Sequence, residues 1–511
     1  MRLSCKHSNQ QTMQYADFSG GLNTSVAQEM IAQNELAVCE NMDVDTNTGL
    51  LKVVDGNKKI MSPPTGKTFS AMMYDTINNV FLVVDSSHTV YKTDMADNAA
   101  LTSIGTLTGA LYPVGTAWES GVIIASGGQL QYYNGSALTT LVNSPKQSSF
   151  VYTREGRVLT NDLTSGRESN IYWSSVGDEE TWADSSGDDS TGKWLEVGYK
   201  DGGKITAFVP MAQDILVIKD NNCVYRVSGS YPNWSVSEVS RNCHCMGRLA
   251  WYSDGINAYV MGRNQIQILQ GGAYYGDIKS ADVGVKVESK LSSVDTPRMI
   301  YVKSLNQVWI PLKERYTLVY DCTVHAFYQR RWNTAGIVDA MSVENDVYVM
   351  RPTSVCKVVK HYGYDDGSKM RWRFVAKRNV SMHESLLKRA EVNIMPFFTQ
   401  LIEGNFKIGG VMLELPEPMR AFLIYGNKSR IYHNRQHILG KDQRLYNLYD
   451  TGEEIYENFD PIYNNHELIY HAAAISRGIR CLYRNKTITI SGAGEGCCFT
   501  LNDINFDIAE V

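Results

Sequence analysis

Short apolar runs alternate along this chain with clusters of Gly, Asn, Asp and Ser, a texture that predicts strands joined by tight turns. From residue 67 onward one form recurs: strand, tight turn, apolar strand, tight turn, strand. It is clearest in "ITAFVPMAQDILVIKDNNCVYRVSGS" (205–230), with further copies at 70–94, 113–136, 149–175, 248–269, 298–332 and 336–362. The middle strands start near Val80, Val122, Val158, Ile215, Ala258, Val308 and Val347, in steps of roughly 35 to 60 residues, the range of propeller blades. A single unit of this kind cannot bury both faces, whereas stacking units radially does so and leaves only short edges exposed. The pattern predicts an all-β fold with a β-propeller of six or seven blades over 57–365. The competing arrangement is a run of unrelated meanders in sandwiches.

The flanks differ in texture. Within 1–56, an N-terminal arm, "SVAQEMIAQNELAVCENM" (25–42) is expected to form one or two short helical turns with Asn34 as N-cap. "MDVDTNTGLLKVVDG" (42–56) reads as a hairpin turning at "TNTG". After the repeats, 366–511 reads as a β-sandwich-like domain or a sheet that closes the propeller. In it, "KMRWRFVAKRNV" (369–380) and "KRAEVNIM" (388–395) are alternating strands separated by "SMHESLL". The end, 478–511, reads as strand, strand, Gly-rich turn, strand, and the Tyr- and His-rich stretch 429–476 reads as a surface excursion.

Composition narrows the function classes. The 511 residues are 43% hydrophobic and 20% charged, enough chain to bury a sizeable core without staples. Net charge is −5 on 49 basic and 54 acidic residues, which disfavours stable gripping of nucleic acid phosphates. The start "MRLSCKHSNQ" has no apolar signal region, and the longest apolar stretches, such as "VFLVV" (80–84), are too short to span a bilayer. The expectation is a soluble protein made in a cytosol, with its ten cysteines reduced. Thirty Tyr against 14 Phe, with 9 Trp, suit half-wet strand surfaces and broad interfaces.

Candidate chemistry is thin. Gly66–Lys67–Thr68 resembles a phosphate loop, but Met61 stands where the first glycine is needed and Pro63 and Pro64 remove amides. Cys243, His244 and Cys245 have no matching ligand pair nearby for zinc; in a strand, the two cysteines would share a face and be buried. "GCCF" (496–499) reads the same way. Asp184, Asp188 and Asp189 lie in an acidic loop (177–194) whose spacing does not match a calcium loop, and Trp173, Trp182 and Trp194 are expected to pin its ends by burial. "GAGEG" (492–496) is expected to be a turn between strands. No catalytic, cofactor-binding or metal residues emerge, and the expectation is a protein that is not an enzyme.

The opening stretch carries a resemblance. Phe18, Gly20, Gly21, Leu22 and Asn23, then Glu35, Asn41, Asp45, Gly49, Leu50 and Gly56, resemble in kind and order the N-terminus of the tail nozzle (tail tubular protein B-like) proteins of short-tailed bacteriophages. Segments 169–182, 202–229, 251–269 and 372–394, and the last strands, are similar to the same group, so the likeness is spread thinly over most of the chain. Two features depart from it: "KVVDG" lacks an Arg before Gly56, and 429–476 has no counterpart. The resemblance implies a structural virion protein in the tail that forms a homo-oligomeric ring, a hexamer, below the portal. It implies head–tail adaptor proteins and tail fibre or tail-tip proteins as partners, with viral DNA passing through transiently. Phe18, Gly20, Gly21, Leu22, Asn23, Asn41 and Gly49 would then serve assembly. The alternative is a propeller-type polysaccharide-degrading enzyme or a glycan-binding protein.

Overall fold

The computed structural model describes residues 10–182, 194–211, 214–271, 278–294, 296–396, 403–414, 422–425, 468–471 and 475–510. The chain divides into two compact units, Asn57–Val358 and the pair of segments Met1–Gly56 with Val359–Val511. The first is a seven-bladed β-propeller.

All seven expected middle strands are second strands of blades: Val80–Asp85, Gly121–Ala125, Arg157–Asn161, Ile215–Lys219, Asn257–Met261, Gln307–Pro311 and Asp346–Arg351. Their continuous apolar character has a simple cause: each is covered on both faces by the neighbouring blades. One such cluster, Ala71, Leu82, Val84, Val122, Ile124 and Tyr133, joins the first two blades. Phe150, Trp173, Phe208, Val217 and Tyr225 join the third and fourth, with Phe150 and Phe208 stacked at 6.3 Å, within the usual range for aromatic pairs. Tyr252 and Tyr301, 4.2 Å apart, join the fifth and sixth.

Each blade has a fourth strand where the sequence form has three. The outer strands Thr102–Thr106, Leu138–Thr140 and Ser235–Ser240 hold no buried residue, so no apolar pattern marks them. The third blade has two outer segments, Asp178–Trp182 and Trp194–Glu196, both pairing with Asn170–Ser175. Blade seven takes its outer strand from the far end of the sequence: Gly56–Met61 lies beside Ser354–Val359 and zips the ring shut.

One buried ion pair helps hold the third blade to the fourth. Lys219 Nζ, fully buried, donates to Asp201 Oδ1 (2.5 Å) and to the carbonyl of Val197 (2.8 Å). Burial pushes the Asp201 carboxyl up, but bonds from Lys219, the Gly203 N–H and the Tyr225 hydroxyl more than offset it and hold the group below the usual carboxylate range. A folded pKa below the unfolded one stabilises above about pH 4 and is lost as pH falls through the folded value. Unfolding midpoints measured from neutral pH down to about pH 3 should therefore fall below about pH 4, and Lys219→Met should remove this pair's share of that slope. An unchanged slope in the variant would contradict the assignment.

The second unit is an all-β assembly of sandwich-like form in which the N-terminal segment and the C-terminal strands share one core. Its spine is a 26-residue strand, Arg371–Pro396. "SMHESLL", expected to separate two strands, lies inside it, because Ile475–Glu495 pairs along one edge and Phe499–Glu510 along the other. Phe499–Glu510 in turn pairs with Gln10–Tyr15 and with Leu51–Val53. Ile475–Glu495 pairs with Glu403–Ile408, which pairs with Val411–Glu414. Trp372, Phe374, Phe406 and Phe499 pack at centroid distances of 4.9–6.2 Å.

Two further expectations change here. "GAGEG" is not a turn throughout: Gly492 to Glu495 belong to the strand, and only Gly496, with φ +72°, turns the chain. Gly492 is required because a Cβ there would lie 2.4 Å from the Phe374 ring. The helical turns expected around Asn34 are absent; Glu35–Glu40 is a strand, parallel to Gly21–Leu22 on one side and antiparallel to Arg371–Pro396 on the other. Strand pairing on both edges overrides the local helix preference of Glu35, Leu36 and Ala37. The hairpin Met42–Val44 with Leu51–Val53 is present as expected. Most of 429–476 lies outside the described residues.

Candidate functional site

The seven residues singled out near the start gather in one intrachain knot. Phe18 is buried edge-on to Phe374 at 6.3 Å, and its N–H donates to the Gly49 carbonyl (3.0 Å). Gly49, with φ +74°, ends the hairpin turn that Asp45 organises by accepting from the Asn47 and Thr48 amides. The Gly20 N–H donates to the Asn34 carbonyl (3.1 Å), and a Cβ on Gly20 would sit 2.7 Å from Glu35 Cγ. Gly21 has φ +63°, a left-handed conformation that glycine adopts without steric cost. Leu22 is buried and pairs with Leu36. Asn23 Nδ2 donates to Glu35 Oε2 (2.8 Å), which also accepts from the Ala32 N–H (2.8 Å). Asn41, φ +54°, donates through Nδ2 to the carbonyl of Arg371 (2.6 Å) and so ties the hairpin to the long strand. These contacts join segments far apart in the sequence, and the chemistry is that of a fastening.

The other concentration of polar groups lies on the propeller axis. The inner strands of all seven blades line a cavity of about 780 Å³. Nothing in the local sequence marks its floor, which is built from residues just before or at the start of five inner strands. Arg298 donates to Asp339 Oδ1 (2.7 Å), to the Tyr112 hydroxyl (2.6 Å) and to the Val338 carbonyl (2.8 Å), with its guanidinium 3.7 Å from the Tyr112 ring centre. The Tyr112 hydroxyl donates to Asp339 Oδ2, which also accepts from the Met72 N–H. Arg248 donates to the carbonyls of Tyr112 and Ser149 across the ring. Burial, reinforced by the adjacent Asp339 carboxylate, holds the Tyr112 hydroxyl far above its ordinary range. Burial lowers Arg248 to about 10, which leaves it cationic at neutral pH. Burial also opposes the charge on Arg298, but Asp339 and Tyr112 more than offset this and raise it. The network thus bridges six of the seven blades and closes one end of the axis with side chains.

The remaining motifs stay dispersed. Gly66, φ +76°, is in a turn before the first blade, with the Lys67 N–H donating to the Pro64 carbonyl (3.0 Å). Cys243 and Cys245 are in an irregular link between blades rather than a strand, and His244 is exposed. Burial lifts these thiols to about 12 and about 11, so both are protonated at neutral pH. Cys497 and Cys498 are buried, and Cys497 Sγ accepts from the Trp372 indole N–H (3.3 Å). Of the acidic loop, Asp184, Asp188 and Asp189 lie outside the described residues. Trp173 is buried, but Trp182 is half-buried and Trp194 exposed, so burial holds only one of the three expected pins. Among the described residues no helix is long and apolar enough to cross a membrane.

The fold defines the protein as a β-propeller with an appended all-β unit. No family model matches the chain, and no curated protein matches it. Among solved structures it is similar to the N-terminal domain of Nup159 at 8% identity, covering 63% of this chain and 98% of that one with a TM-score of 0.41. It is similar to the Pan2 WD40 domain of Neurospora crassa at 7% identity, covering 60% and 95%, TM-score 0.40. The third, YCF48 from Cyanidioschyzon merolae, is 12% identical, covering 59% and 98%, TM-score 0.40. These likenesses concern architecture alone, and the blade assignment rests on the strand pairing.

Proposed function

We propose that this chain is a structural protein of a tailed-phage virion: a nozzle subunit that assembles into a ring, docks to adaptor and fibre proteins, and lets DNA pass during ejection. The observation that supports this reading is the N-terminal knot. The residues that carry the resemblance to nozzle proteins are scattered from Phe18 to Gly49, yet they fasten to one another and to the strand Arg371–Pro396, which carries another part of the same resemblance. On this reading DNA travels between copies, because side chains close the axis of a single propeller. The carbohydrate-enzyme reading has less support. A glycosidase pair requires two free carboxylates facing one substrate. Of the carboxylates lining the axial cavity, Asp339 is engaged by Arg298 and Asp254 by the amides of its own turn.

The test is assembly. Mass photometry and negative-stain microscopy of the full chain, mixed with portal and adaptor proteins of a short-tailed phage, should show closed rings of fixed copy number. Free monomers alone under those conditions would overturn the proposal.

A further inference from the structure

We infer that the open mouth of the axial cavity is a docking site for a peptide segment of a partner protein, one that presents an apolar side chain flanked by lysine or arginine. This inference does not depend on the tail reading. Inner strands of a propeller all run in one sense along the axis, because the blades are related by rotation. Tyr112, Arg248, Arg298 and Asp339 stand at or before the N-terminal ends of their strands, so their network seals that end. The opposite end is bordered by the turns that follow the inner strands; those at 76–79, 119–120, 155–156, 254–256, 303–306 and 344–345 are described in full.

Those turns are unusual in two ways. Three of them display large apolar side chains to solvent: Ile77 is 43% exposed, Ile256 70% and Leu305 36%. Among the described residues their charge is mostly acidic, since Glu119, Glu155, Asp254 and Glu344 are exposed there against Lys303. Below the rim, the walls include Tyr152, Met211, Trp251 and Met341, soft and aromatic surfaces that suit an inserted side chain. On the floor Arg298 is paired with Asp339 and Arg248 is bonded to two backbone carbonyls, so an entering side chain meets no open carboxylate there. An occupant matched to both zones is apolar where it enters and cationic where it meets the rim.

The experiment uses the full chain and two fluorescein-labelled probe peptides, each with a central tryptophan flanked on both sides by lysines in one and glutamates in the other. Fluorescence anisotropy should show saturable binding of the lysine peptide, weakened by salt, and at least about tenfold weaker binding of the glutamate peptide. Ala117→Trp, which fills the mouth at an exposed wall position, should abolish binding. The pair Glu119→Lys and Glu344→Lys should weaken it about tenfold. Unfolding midpoints of the variants establish that each is folded. Absence of saturable binding, equal binding of both peptides, or indifference to both sets of variants would overturn the inference. So would self-association of the chain through this mouth, seen as oligomers that Ala117→Trp disperses while neither probe binds.

Discussion

Replacing Arg298 by alanine is expected to destabilise the propeller by about 3–5 kcal/mol, a large fraction of the net stability of a typical domain. Among the described residues this guanidinium is the only cation bonded to Asp339, whose side chain is only 3% exposed, and its removal leaves that carboxylate buried beside the Tyr112 hydroxyl. The cost arises mainly from the uncompensated charge and much less from the lost attraction, because a buried pair roughly breaks even against desolvation when intact. The double variant Arg298→Met with Asp339→Leu should therefore be milder than Arg298→Ala alone. Urea unfolding of the parent and the two variants measures this. A loss below about 1 kcal/mol for the single variant would mean that water replaces the guanidinium and that the axis is wetter than the geometry implies.

Replacing Gly21 by valine is expected to rank next in cost. A β-branched residue at φ +63° meets the left-handed penalty of about 1–2 kcal/mol together with side-chain crowding. The turn also positions Leu22 for its pairing with Leu36 and brings Asn23 to Glu35, so strain at Gly21 is transmitted to both. Gly21→Asn should be far less harmful, since asparagine tolerates this backbone conformation. The comparison isolates conformation from composition. If both variants unfold at the same denaturant concentration as the parent, the turn is not a fastening. If both are equally impaired, space rather than φ governs the position. On the ring reading, Gly21→Val should also reduce ring yield while Gly21→Asn preserves it.

The signature residues illustrate how function and architecture can be confused in a sequence. A double glycine after an aromatic residue suits either a ligand loop or a backbone device. The distinction depends on what faces the glycines. Gly20 faces Glu35 and the Asn34 carbonyl, and Gly21 needs a positive φ, so both are explained without a ligand. Asn34 is legible as a polar residue of structural use, but its side chain donates to Ser19 Oγ (3.3 Å) and its carbonyl accepts from the Gly20 N–H, and it caps no helix. Asn41 cannot be assigned a role from its neighbours, because its partner, the Arg371 carbonyl, is 330 residues away.

By itself the sequence determined the repeat and its period. Second strands such as Ile215–Lys219 are covered on both faces, and burial on both faces forces a continuous apolar run that is visible without any structure. The turns are equally legible, because Asn79, Glu155 and Asn306 take positive φ in the breaks that separate the runs. Tertiary structure alone decided the rest. Outer strands such as Ser235–Ser240 are half in water, so the hydrophobic effect leaves no periodic mark on them. The outer strand of blade seven is Gly56–Met61, recruited from before the first blade by backbone pairing, which is blind to side-chain identity. The axial floor is the sharpest case: Tyr112, Arg248, Arg298 and Asp339 are ordinary polar residues in four separate blades. Only closure of the ring brings them within hydrogen-bonding distance and removes the water that would otherwise weaken their interactions.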